Sequence, residues 1–386
     1  MKGDDIMEET QSVALLSDLV KIDSRNGHEE HVADRIIEEL SAHGITAKKI
    51  PYADGRTNLF CELDSGKPGK TLMLTGHLDT VAANEADDWN FPPLAAHVES
   101  GKMVGRGTAD MKSGLAAMVC TLIDLKTAGL PSAGKLQFLA TVGEEYGAPG
   151  SRQLTQAGYV DHVDAMIVGE PTSDQIIFAH NGSIDYSVES VGKSVHSSMP
   201  EAGVNAITNL VKFINAEAHA FDDAPVSDVL GPVVHSVTVI NGGDQVNSIP
   251  GFARLEGNIR PIPEFDNDKI IAGLQQIIDH LNEENDVQLK LIVDFSFFPV
   301  ISDRHSQLVS LAAEAVTNTT GSDATLNVIH GATDASEYTK SANDFPIIVL
   351  GPGRWDIAHR VNEYVEIADY LHLIAAYKQI ATNFLK

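Results

Sequence analysis

Three short apolar runs in this 386-residue chain each end on imidazole or carboxylate side chains, and this restricts the fold more than any other feature. Leu72-Met73-Leu74-Thr75-Gly76 leads to His77 and Asp79. Lys135 to Val142 leads to Gly143-Glu144-Glu145, and Asp164 to Val168 leads to Gly169-Glu170-Pro171. Apolar runs of this length bounded by glycine read as strands. Apolar positions recur at helical spacing around them: Leu15, Leu16, Leu19 and Val20 within 7–22, then Val32, Ile36, Ile37 and Leu40 within 28–43. A further helix is expected at 113–128. Strands alternating with helices predict an α/β domain, a mixed, mostly parallel sheet with helices on both faces. Such sheets build their sites at the carboxyl ends of strands.

The rhythm changes near residue 183. Ile184 to Ser190 alternates as a half-buried strand, a helix is expected at about 203–219, and strands at 234–240 and 253–260. A helix at 268–283 and a strand at 287–294 follow. This βαββαβ order is the ferredoxin-like α+β pattern. A strand at 346–350 and a helix at 366–384 resume the first rhythm. The predicted organisation is a catalytic domain split into 1–182 and 296–386, with a lid or dimerisation domain at 183–295 inserted between its halves.

The formal net charge is −27, from 54 acidic against 27 basic residues. No surplus of Lys and Arg exists to neutralise phosphates, which argues against nucleic acid and anionic membranes as partners. Cys61 and Cys120 are the only cysteines, so no disulfide framework is expected, and a reducing compartment fits. The N-terminal Met1-Lys2-Gly3-Asp4-Asp5 lacks the basic-then-apolar pattern of a secretory leader, and no apolar run approaches the length of a spanning helix. A cytoplasmic protein is the expectation.

Seven ligand-type residues are spread along the chain: His77, Asp79, Asp110, Glu144, Glu145, Glu170 and His359. Two imidazoles with several carboxylates and no thiolate make the donor set that a hydrolytic site with two divalent ions needs. Taken alone, Asp110 reads equally well as a helix-capping residue. Asp79, two residues after His77 on an alternating strand, falls on the same side and can accept the imidazole's second N–H. His97, His162, His235, His280 and His305 read as ordinary core or surface histidines.

The segments Gly76-His77-Leu78-Asp79-Thr80, Gly105-Arg106-Gly107-Thr108-Ala109-Asp110-Met111-Lys112-Ser113-Gly114, Gly143-Glu144-Glu145, Gly169-Glu170-Pro171 and Gly351-Pro352-Gly353…Ala358-His359…Asn362-Glu363 occur in one order. In that order they resemble the dizinc amidohydrolase and exopeptidase family, which includes succinyl-diaminopimelate desuccinylase, acetylornithine deacetylase and aminoacylase. The resemblance implies a zinc-exopeptidase-like fold with a lid that often dimerises, and two divalent ions, zinc foremost, with cobalt and manganese sharing such ligands. It implies that Asp110 bridges the ions and precedes a cis peptide. It assigns His77 and Glu170 to one ion and His359 and Glu145 to the other. Glu144, free of metal, becomes the general base, a division that also resolves the repulsion between two adjacent carboxylates.

In the lid, Gly192 and Val195-His196-Ser197-Ser198-Met199-Pro200 resemble the segment whose histidine polarises the scissile carbonyl, commonly in the other subunit of a homodimer. Asn247 and Arg260 match motifs associated with the substrate carboxylate, and Arg suits that role through its paired donors. Thr333 lies in Gly331-Ala332-Thr333-Asp334-Ala335-Ser336, which resembles a loop near the metals. Two departures bear on the acyl group. That loop reads Gly-Gly-Thr-Ser-Asp in desuccinylases, and His180-Asn181-Gly182-Ser183 lacks their arginines. The expectation is an amidohydrolase acting on a small N-acyl amino acid, with succinyl-diaminopimelate desuccinylase ahead of acetylornithine deacetylase, another aminoacylase or a metallo-dipeptidase. A non-catalytic binding protein on this fold is the remote alternative.

Overall fold

A computed structural model describes residues 7–83 and 88–386; the N-terminal residues 1–5 read above lie outside them. The chain forms two compact units. The first comprises Met1–Phe178, Ile301–Asn327 and Thr333–Lys386, and the second Ala179–Val300 with Val328–Ala332.

The first unit is built on a mixed sheet with a parallel centre. Thr71–His77 lies parallel to Lys135–Thr141 on one side and to Ala165–Val168 on the other, and Ile347–Val349 extends the parallel set. Every residue of Thr71–His77 and of Ala165–Val168 is buried. These strands therefore carry unbroken apolar runs rather than alternation. The hairpin Ala47–Ala53 and Arg56–Asp64 joins antiparallel beside Lys135–Thr141. Helix Lys112–Thr127, buried without interruption from Lys112 to Leu125, packs on Ile367–Phe384 and Glu9–Lys21. A helix enclosed all round has to be apolar all round, as this one nearly is. A Cβ on Gly114 would stand 2.1 Å from the carbonyl oxygen of Gly169, so only glycine lets this helix approach the strand end bearing Glu170. A separate three-stranded sheet pairs Tyr364–Glu366 with Lys102–Val104, and that strand with His97–Glu99.

The second unit runs Ser183–Val191, Ala206–Glu217, Val234–Gly242, Phe252–Arg260, Asn267–Asn282 and Leu289–Phe297. Its four strands are antiparallel, in the order third residue range, fourth, first, last. That is the ferredoxin-like arrangement. Ile184, Tyr186 and Val188 alternate into a core shared with Leu210, Phe213, Leu255, Ile259, Ile270 and Leu274. Both helices start on side-chain caps: Asn205 accepts from the N–H of Ile207 at 3.0 Å, and Asp266 from that of Lys269 at 3.2 Å.

Cys61 and Cys120 are both buried and unpaired. Among the described residues, no helix is long and apolar enough to cross a membrane.

Candidate metal centre

Strand ends deliver the chemistry of the first unit. His77 closes the central strand, and its Nε2 lies 2.9 Å from Asp110 Oδ1 and 3.5 Å from Glu170 Oε1. His359 approaches the other oxygen of the same carboxylate, 3.2 Å from Asp110 Oδ2, and stands 2.8 Å from Glu145 Oε1. Asp110 thus sits between two imidazoles brought from opposite ends of the sequence. Donor atoms of His77, Asp110 and Glu145 lie within 4.8 Å of one another, as do those of His77, Glu144 and Glu170. The peptide between Asp110 and Met111 is cis.

Asp79 does something the sequence did not suggest. The atom nearest His77 Nδ1 is the main-chain oxygen of Asp79, at 2.9 Å, whereas its carboxylate stands 3.6 Å away. The carboxylate accepts instead from three consecutive backbone N–H groups: Gly143 at 2.8 Å, Glu144 at 3.1 Å and Glu145 at 3.1 Å. Gly143 makes that turn with φ +74°, a conformation that favours glycine. Asp79 therefore shapes the loop that aims Glu144 and Glu145.

Four carboxylates and two imidazoles crowd together here, with His77, Asp110 and Glu170 buried and His359 on the exposed side, and their protonation reflects it. Burial, with the charge of Asp110 added, pushes Glu170 up to about 8. Burial and Glu170 raise Glu144 well above the usual carboxylate range, and burial and Asp110 raise Glu145. Hydrogen bonds with Asp110 and Glu145 hold His359 up to about 10. Burial would also raise Asp110, but its hydrogen bonds with His359 and His77 prevail and hold it well below the usual range. A cluster that must retain protons to offset its own negative charge is one that divalent cations can neutralise instead. Imidazole nitrogen and carboxylate oxygen, with no thiolate, fit zinc or a similar ion.

Three supports were not singled out in the sequence. Glu363 accepts from the N–H groups of Ala109 and Asp110, at 2.8 and 3.1 Å, and pairs with Arg106. Lys112 is fully buried and donates to the main-chain oxygens of Leu19 and Ile22 at 2.9 and 2.7 Å, and burial brings it down to about 7. Asp334 accepts from Thr141 and Ser151 hydroxyls, both at 2.5 Å, and burial pushes it up to about 6. Glu363, Arg106 and Lys112 lie within the quoted motifs, so their positions were marked although their partners were not. Thr333 is buried, and its hydroxyl accepts from the N–H of Ala335 at 3.2 Å.

His196, Asn247 and Arg260 belong to the second unit. His196 is exposed, with Nδ1 2.8 Å from Ser198 Oγ. Its segment bridges that of Ser248, and Ser197 N–H donates to the Asn247 carbonyl at 3.0 Å. Arg260 ends the strand Phe252–Arg260 half-buried, and among the described residues it has no ion-pair partner; burial lowers its pKa. Asn181 is buried; its amide donates to the Pro261 carbonyl at 3.1 Å and its oxygen lies 2.7 Å from His330 Nδ1.

The model for Peptidase family M20/M25/M40 matches residues 73–383. The chain belongs to that family. It is accordingly a hydrolase of the metallopeptidase and amidohydrolase type. A Staphylococcus epidermidis relative named "Probable succinyl-diaminopimelate desuccinylase" is 35% identical, with 99% of each chain covered. The crystal structure of aminopeptidase PepT from Bacillus cereus aligns with a TM-score of 0.79 at 22% identity, covering 99% of this chain and 100% of that one. The Bacillus subtilis YXEP protein, described as a dinuclear metal binding peptidase of the M20 family, aligns with a TM-score of 0.72 at 16% identity over 98% of both chains. These likenesses establish the α/β fold with its separate antiparallel-sheet unit.

Proposed function

We propose that this chain is a metal-dependent amidohydrolase that cleaves the amide of an N-acyl amino acid, N-succinyl-diaminopimelate being the foremost substrate. The observation that carries the chemistry is Asp110 lying between His77 and His359, with Glu145 and Glu170 flanking and Glu144 beside the His77–Glu170 pair. Asp110 would be shared by two ions, His77 and Glu170 would hold one, and His359 and Glu145 the other; zinc, cobalt and manganese all suit these donors. When bound, such ions lower the pKa of water and polarise the substrate carbonyl.

The rest falls to the chain's own groups. Glu144, placed beside His77 and Glu170, accepts a proton from the attacking water and delivers it to the departing amine. Asp79 holds the 143–145 turn so that this carboxyl and that of Glu145 keep their separate aims. Arg260, half-buried without an ion-pair partner among the described residues, is suited to a substrate carboxylate, since a desolvated guanidinium gains most from a charged acceptor. His196 would stabilise the oxyanion from the partner subunit of a homodimer formed through the second unit, with Asn247 and Thr333 completing substrate contacts. A cytoplasmic location accords with this metabolism.

The substrate assignment is supported by the 35% identity to a protein named as a probable desuccinylase. One observation favours acetyl over succinyl: buried Asn181 occupies a position where an arginine was expected, and its amide is already engaged by Pro261 and His330. The deciding measurement is kcat/KM for N-succinyl-diaminopimelate against N-acetylornithine on one metal-loaded preparation. A dedicated desuccinylase should prefer the first by more than tenfold, about 1.4 kcal/mol. A smaller ratio would refute that specificity, and a reversed one would make the chain a deacetylase. Hydrolysis that survives exhaustive chelation would refute the metal-dependent reading itself.

A further inference from the structure

The small three-stranded sheet has a consequence for the centre. Tyr364 pairs with Val104, which places Glu363 beside Gly105 and Arg106. Both Arg106 and Glu363 are buried, and their side chains form an ion pair. The second carboxylate oxygen of Glu363 takes the backbone N–H groups of Ala109 and Asp110. The second guanidinium nitrogen of Arg106 donates to the main-chain oxygen of His359 at 3.1 Å. Trp89 covers the pair, its ring centre 5.4 Å from the guanidinium carbon. His359 and Asn362 have φ of +65° and +59°, backbone conformations that side-chain-bearing residues disfavour unless something holds them.

We infer that Arg106 and Glu363 form a positioning clamp that fixes Asp110 relative to His359, and so sets the affinity of one of the two metal positions in particular. This rests on the dinuclear reading above. Both oxygens of Glu363 are engaged and a guanidinium is not a metal ligand, so the pair acts through the backbone of the ligands. A buried ion pair is weak evidence for stability in itself, which leaves registration as its better-attested use. The opposite position is held by other means. His77 and Glu170 stand at the ends of neighbouring strands paired in register, and His77 Nδ1 meets the main-chain oxygen of Asp79. Loss of the clamp should therefore be felt at the His359–Glu145 position first.

The test is titration of the chelated full-length chain with cobalt(II), followed by calorimetry, visible absorption and tryptophan fluorescence. The chain has two tryptophans: Trp89 lies on the clamp, and Trp355 opens the turn Trp355–Ile357 just before His359. Arg106→Lys keeps the charge without the fork, and Glu363→Gln keeps the acceptor without the charge. The double variant Arg106→Met/Glu363→Gln leaves no orphaned charge if either single variant fails to fold. The expected result is two ions on the wild type. In the variants one ion should bind within threefold of normal and the other about 10–100-fold more weakly, the usual cost of losing an outer-shell partner. Folded variants that bind both ions normally, or lose both alike, would overturn the clamp while leaving the dinuclear reading intact. A wild type that takes up no ion would overturn the dinuclear reading, and the clamp with it.

Discussion

Replacing Asp79 separates loop organisation from imidazole orientation, because the carboxylate and main-chain oxygen of this residue serve different partners. The carboxylate accepts three backbone N–H bonds from residues 143–145, and it is fully buried. Hydrogen bonds to a charged acceptor contribute about 1.5–3 kcal/mol each, and a buried N–H left without an acceptor costs about 1–3 kcal/mol. In Asp79→Asn, one oxygen can still serve Gly143 and Glu144, but the amide NH2 then faces the N–H of Glu145. One bond is lost and two donors confront each other, so the metal-free protein should lose about 2–3 kcal/mol. Asp79→Ala strands all three donors but removes a buried charge that burial itself disfavours, so its cost should fall near the low end of the summed range, about 3–4 kcal/mol. Metal affinity should drop about 10–100-fold in both, because Glu145 loses its anchor. Urea unfolding of the chelated protein gives the first quantity and zinc titration the second. A metal-free Asp79→Asn protein with unchanged stability and zinc affinity would show that the carboxylate does not organise the turn.

Three further outcomes are expected. Glu144→Gln should retain near-normal metal content while turnover falls about 10²–10⁴-fold, the usual cost of a lost general base, whereas Glu145→Ala should lose metal as well; a Glu144→Gln enzyme with most of its activity would sink the division of roles. Burial holds His180 down to about 4, below its unfolded value near 6.5, so the unfolded chain takes up the proton first as the solution is acidified. The stability this histidine contributes is complete above about pH 6.5 and is lost as pH falls towards 4, by roughly 3 kcal/mol; His180→Phe should flatten that part of the pH profile of urea unfolding, and parallel profiles would mean the folded imidazole is charged. Mixing inactive His196→Ala with inactive Glu144→Ala subunits should restore activity if His196 acts across a dimer, and no recovery after verified subunit exchange would rule that out.

The legible parts of this fold are those where burial is written into local pattern. The strands at Thr71–His77 and Ala165–Val168 are enclosed, and Lys135–Thr141 is buried from Phe138 onward, so their apolar runs give both their existence and their ends. The hairpin Ala47–Ala53/Arg56–Asp64 was passed over, although Asp54-Gly55 joins it and Gly55 has φ +68°. Its first strand is largely exposed and includes Pro51, so neither an apolar run nor clean alternation marks it. Helix Gln307–Thr320 was missed too, despite Ser306 capping its start and Gly321 its end in the left-handed conformation. Those punctuation residues were readable, and so was the buried face of Leu308, Val309, Ala312, Ala315 and Val316 at helical spacing.

The site divides the same way, for a different reason. A candidate ligand or proton carrier is His, Asp or Glu at a strand end or loop, and residues of that kind can be picked out of the sequence one at a time. A positioning pair cannot, because nothing near Arg106 in the sequence states that its carboxylate arrives 257 residues later on the far strand of a small sheet. Only the fold supplies that adjacency. The same limit governs the acyl group. Whether succinate's second carboxylate is accepted depends on which donors remain unspent once folding has claimed its share, and Asn181 shows a donor already claimed by a backbone carbonyl. An Asn181→Arg variant makes that argument testable. If the missing cation is what limits succinyl recognition, the variant should raise kcat/KM for N-succinyl-diaminopimelate relative to N-acetylornithine by about tenfold or more, the 1.5–3 kcal/mol of a charge-assisted bond less the cost of displacing the native contacts. An unchanged ratio in a folded Asn181→Arg protein would place the recognition of the acyl carboxylate elsewhere in the chain.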